Sequence, residues 1–94
     1  MKIEILGRKE DLIKMQSTLK VLQRAVTAGG IQADIRLTHD FRAFAGAAFN
    51  PAKTPVVFIN GSVEFSGNVP EMKSLLVKIQ QLKSGGAGAG GALF

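Results

Sequence analysis

Cysteine is absent from this chain of 94 residues, and so are tryptophan and tyrosine. Without a thiol there is no disulfide staple, no thiolate metal ligand, no iron–sulfur ligation and no thiol–disulfide catalysis. Histidine occurs once, at His39, which excludes a multi-histidine metal centre. No metal and no cofactor are therefore expected. Long apolar runs are also missing, and nothing approaches the roughly 20 residues of a membrane span. The opening residues lack the basic-then-apolar order of a secretory signal, so the expected location is the cytoplasm.

Acidic side chains are scarce. Seven face twelve basic ones, for a formal net charge of +5. That excess permits an acidic partner without demanding one. A nucleic-acid surface normally adds stacking aromatics or a groove-reading element. Here the aromatics are six phenylalanines, all on apolar patterns or at the terminus. Lys14, Lys20 and Arg24 read more simply as a solvated helix face. His39 has no histidine or cysteine near it in sequence, and a solvated or capping role suits it better than catalysis. Glu4 and Glu64 sit on separate strands and read as ordinary exposed residues.

What is present is a strong alternation of strand and helix patterns. Lys2–Leu6 alternates Ile3 and Ile5 against Lys2 and Glu4, a first strand ended by Gly7. After the charged segment 8–11, Leu12, Met15, Leu19, Leu22 and Val26 form one apolar helical stripe, with Glu10 or Asp11 as its cap. Gly29-Gly30 stops that helix. Residues 31–38 alternate strictly and predict a second strand, parallel to the first because a long helix separates them. Phe41, Phe44, Ala45, Ala48 and Phe49 predict a second, shorter helix capped by Asp40 and ended at Asn50-Pro51.

The stretch 54–67, TPVVFINGSVEFSG, is the clearest signal. Val57 and Ile59 point one way, Val56 and Phe58 the other, as in an interior strand covered on both faces. Asn60-Gly61 predicts a two-residue hairpin turn with positive φ at both positions. The partner strand places Val63 and Phe65 on one side, with Ser62, Glu64 and Ser66 on the other. Asn68 then caps a last helix with Pro70 in its first turn and Met72, Leu75, Leu76, Ile79 and Leu82 as its stripe. Residues 1–83 make one domain. Residues 84–94, SGGAGAGGALF, read as a flexible glycine- and alanine-rich tail with an apolar tip.

The order β-α-β-α-β-β-α, with Thr54-Pro55 just before the hairpin, resembles the thioredoxin superfamily, and most closely its small thioredoxin-like redox proteins. The likeness rests on KIEILG at the start, on Arg24-Ala25-Val26 with Gly29-Gly30, and on TPVVFINGSVEFSG followed by Asn68-Val69-Pro70. It covers residues 1–83. It implies an α/β thioredoxin-like fold, a mixed four-stranded sheet with helices on both faces. It also implies a Cys-x-x-Cys pair at the start of the first helix. Those positions fall here on Glu10 and Ile13, or on Leu12 and Met15, and neither pair can exchange disulfides.

The resulting expectation is a redox-inactive thioredoxin-like protein, not an enzyme. It would serve as a non-catalytic accessory or scaffolding subunit of a larger assembly of other protein subunits, an enzyme complex among the settings. Its contact surfaces would be Arg8, Lys9, Glu10 and Asp11 beside Thr54 and Pro55, the edge strand 62–66, and the tail tip at Leu93 and Phe94. The edge strand also offers a route to a homo-oligomer. The alternatives are a peptide-binding or chaperone-like module using the Thr-Pro groove and, from another class, a basic nucleic-acid-binding protein.

Overall fold

The computed structural model describes residues 1–91, with side chains described as far as Lys83. Four strands form one mixed sheet: β1 (Lys2–Leu6), β2 (Asp34–Thr38), β3 (Val56–Ile59) and β4 (Ser62–Ser66), in the order β2-β1-β3-β4. β1 and β2 are parallel, and the other two pairings are antiparallel. The parallel pair needs a crossover, and α1 (Leu12–Ala28) supplies it. A second helix, α2 (Met72–Gly91), follows the hairpin.

The side chains of the two central strands explain the layers. Ile3, Ile5, Val57 and Ile59 meet Met15, Leu22, Ala25 and Val26 of α1 and Leu75 and Ile79 of α2. Leu6, Val56 and Phe58 face the other way and meet Phe44, with Phe41, Ala47, Phe49 and Val63 around them. β3 is thus buried on both faces, as its unbroken apolar run predicts. The hairpin turn also forms as predicted, with φ of 51° at Asn60 and 85° at Gly61. Asn60 does more than turn the chain. Its Oδ1 accepts the Lys2 N–H at 2.9 Å, and its own N–H donates to the Lys2 carbonyl at 2.7 Å, tying the hairpin to β1.

Several local expectations change. The helix predicted over 41–49 is only a 3-10 turn, Phe41–Phe44, followed by irregular chain. Asp40 does cap it, accepting the Arg42 N–H at 3.1 Å. The segment is too short to offset helix nucleation by itself, Gly46 weakens it, and Pro51 bars Asn50 from helical φ/ψ. Its phenylalanines still close the face, with the Phe44 and Phe49 rings 4.5 and 5.6 Å from Phe58. β2 begins only at Asp34, after Ile31 and Ala33. α2 begins at Met72, not near Asn68: the Glu71 carbonyl accepts the Leu75 N–H at 3.0 Å, and Pro70 is buried ahead of the helix.

The largest departure is in β4. Val57 pairs with Phe65 and Phe58 with Val63, so one step on β3 spans two on β4. Glu64 is the extra residue of a β-bulge. Strict alternation places Val63 and Phe65 on one face. Across the bulge Val63 packs with the phenylalanine cluster, and Phe65 packs with the helix-side core. At the other end of the hairpin layer, α2 continues past Lys83 to Gly91. A helix already nucleated adds residues without a new nucleus. Leu93 and Phe94 lie outside the described residues.

Candidate functional site

The site starts where β1 ends. The Gly7 N–H donates to the Thr38 carbonyl at 3.1 Å, and the Gly7 carbonyl lies 2.7 Å from His39 Nδ1. A carbonyl only accepts, so Nδ1 carries a proton and His39 serves as a tie between β1 and β2. Gly7 is buried against α1, and a Cβ there would come within 2.7 Å of Met15 Sδ. Glycine therefore lets the chain turn tightly over the helix into a 3-10 turn, Lys9–Asp11.

Asp11 is the centre of the corner. One carboxylate oxygen, Oδ2, accepts the Arg8 N–H at 3.0 Å and the Thr54 hydroxyl at 2.6 Å. It does not cap α1, as the charge pattern suggests it should. It closes the preceding turn and reaches across to the loop before β3. The Thr54 hydrogen bond, then the Arg8 N–H and the nearby Lys14 and Arg8 charges, hold the Asp11 carboxyl below its ordinary value, against a small opposing effect of burial. Arg8 makes a second bridge, its Nη2 donating to the Pro51 carbonyl at 3.1 Å. The Thr54–Pro55 bond is cis, and Pro55 is buried with its carbonyl accepting the Gly67 N–H at 2.9 Å.

The structure thus gathers Arg8, Asp11, Thr54 and Pro55 into one corner. Lys9 and Glu10 lie on the same turn but are exposed. Sequence patterning misses two residues here. Leu12, expected in the core stripe, is 42% exposed, and Ile13, one residue off that stripe, is 79% exposed. Both lie in the first turn of α1. An isoleucine off the apolar stripe was the signal available for Ile13.

A family described as thioredoxin domain matches residues 1–80. The chain belongs to the thioredoxin-domain family. No curated protein and no solved structure matches it. Within this thioredoxin-domain fold the two placements of the missing thiol pair separate clearly. Met15 is fully buried under Gly7, whereas Glu10 and Ile13 are exposed on the turn and at the helix start.

Chemically the corner holds no thiol, and no cluster able to hold a metal ion occurs among the described residues. Its one carboxylate with a shifted pKa is used in closing the loop. Depressions of about 430, 370 and 450 Å³ lie elsewhere: on the outer side of α1 around Arg24, between Phe65 and α2, and beside Glu4 and Gly46. Glu4 and Glu64 are not the exposed residues that their strand positions suggest. Each is half-buried beside a lysine, Glu4 at 3.9 Å from Lys2 and Glu64 at 3.0 Å from Lys78. Among the described residues no helix is long and apolar enough to cross a membrane.

Proposed function

We propose that this thioredoxin-domain protein is a non-catalytic accessory or scaffolding subunit of a larger protein assembly. The observation that carries this reading is the α1 tip. At the start of α1, next to the positions where a redox member of the family carries its thiols, this chain presents Leu12 and Ile13 to solvent, at 42% and 79% exposure. Exposed apolar side chains beside a hydrogen-bonded, rigid loop suit a protein contact and serve no chemistry of their own. The Arg8–Pro51 and Asp11–Thr54 bridges support a fixed shape at that tip.

Purification at natural abundance followed by native mass spectrometry tests the proposal. The expected result is a stoichiometric complex with another protein. A chain that runs only as a free monomer sinks it.

One observation favours a second reading, a peptide-binding or chaperone-like module. Among the described residues, the backbone N–H and carbonyl of Thr54 enter no backbone hydrogen bond. They immediately precede Pro55, and in this reading an extended peptide pairs with them. Peptide affinity that survives Pro55→Ala counts against this alternative.

A further inference from the structure

Phe65 and α2 form a surface that alternation along β4 does not foresee. The bulge at Glu64 turns Phe65 to the helix side of the sheet, where it stays half-buried. There it lines a depression of about 370 Å³ with Lys73, Ser74, Val77, Lys78 and Gln81. The helix residues recur at i, i+1, i+4, i+5 and i+8, one continuous side of α2. Val77 is 53% exposed, although it is among the most apolar residues of the helix. Lys78 is held by Glu64 at 3.0 Å, which fixes one wall of the groove. Lys73 also lines the depression and makes no ion pair among the described residues.

We infer that the Phe65–Val77 groove is a docking surface for an acidic amphipathic helix of a partner protein, with an apolar side chain seated between Phe65 and Val77 and a carboxylate facing Lys73. Charge selects the occupant. Two lysines and no carboxylate line the groove, Lys78 is paired with the neighbouring Glu64 while Lys73 is not, and the whole chain carries +5. A second copy of the chain would bring the same cations to the contact. Strand addition along β4 is opposed by the bulge, which breaks the ladder and twists the edge. A helix laid in the groove needs no strand edge and presents its own anchors at i, i+3 and i+4. The inference rests on the reading of the chain as a subunit, and it names the chemistry of one partner contact.

The test is an amide-shift titration of the full chain with a synthetic helical peptide bearing leucine on one face and glutamate on the other. A second peptide with lysine in place of glutamate is the control. The expected result is a set of shifts at Phe65, Ser74, Val77 and Gln81 with the glutamate peptide alone, weakening as salt is added. Lys73→Glu should weaken binding about fivefold, and Val77→Asp about tenfold or more, with both exposed substitutions leaving the rest of the spectrum in place. No response, an equal response to the lysine peptide, or shifts confined to Leu12 and Ile13 overturns the inference. None of these outcomes depends on isolating a natural partner, so the subunit reading stands or falls separately in native mass spectrometry.

Discussion

Asp11 shows how much one side chain can organise. It joins the start of α1 to the loop before β3 across 43 residues of sequence, through a 2.6 Å hydrogen bond to Thr54. It also satisfies the Arg8 N–H that leads into the 3-10 turn. Hydrogen bonds to a charged acceptor are worth more than neutral ones, so Asp11→Ala should cost about 1–2 kcal/mol at neutral pH, discounted for partial exposure. The pH dependence has a definite sign. The folded-state pKa of Asp11 is lowered, so its contribution is fully present above the ordinary aspartate value. It is lost as pH falls through the lower folded value. Urea unfolding should therefore show a wild-type advantage that holds above about pH 4 and shrinks in more acidic buffer. An advantage that grows on acidification contradicts the assignment. The local pattern marks Asp11 as a helix-cap candidate and the family resemblance sets it beside Thr54, but neither reveals the hydrogen bond. Its Thr54 partner is set by the fold.

At the scale of elements, the hairpin was the most readable part of the chain. Asn-Gly between two apolar runs specifies a tight turn because both residues tolerate positive φ, and both adopt it. The added role of the Asn60 side chain depends on β1 lying alongside. Asn60→Gly keeps the backbone freedom but loses the bond to the Lys2 N–H, and Asn60→Ala loses both. Chemical denaturation should rank them accordingly, Gly losing about 0.5–1.5 kcal/mol and Ala at least about 1 kcal/mol more. Equal losses would mean that the side-chain bond to β1 alone decides the turn. The elements that misread the pattern have physical reasons. The phenylalanine stripe at 41–49 has helical spacing but lacks the length and the free C-terminal end that a helix requires. β4 alternates in sequence, but a bulge shifts the phase at Glu64, and no single-strand pattern reveals a mismatch with the neighbouring strand.

For the whole molecule, the thioredoxin-domain frame is intact while its thiol pair is gone. The frame makes a direct test of where that pair belongs. Glu10→Cys with Ile13→Cys places both thiols at exposed positions of the turn and helix start. This double variant should fold normally and, once oxidised, lose both reactive thiols to an intramolecular disulfide, read by intact mass and thiol titration. Leu12→Cys with Met15→Cys removes a fully buried core side chain and should lose about 1–3 kcal/mol. If that second variant oxidises without loss of stability, Met15 is not part of the core beneath Gly7. At this scale the sequence was informative about sheet and layers, because β3 is apolar on both faces and only a three-layer arrangement covers both. It was less informative about surfaces. Leu12, Ile13 and Val77 are apolar yet exposed, and which apolar residues stay uncovered is a property of the packing.

Composition alone excluded thiol chemistry, and local pattern alone dictated the two buried faces of β3, the hairpin turn and the stripe of α1 from Met15 onward. Each of these is a property of residue type and spacing along a few turns or pleats. Tertiary structure alone decided that Asp11 meets Thr54, that Met15 lies beneath Gly7 while Ile13 stands in solvent, and that Phe65 turns toward α2. Those outcomes depend on how two distant segments match in length, register and approach. A period of 2 or 3.6 residues records which way a side chain starts out, and the segment packed against it settles what that side chain meets.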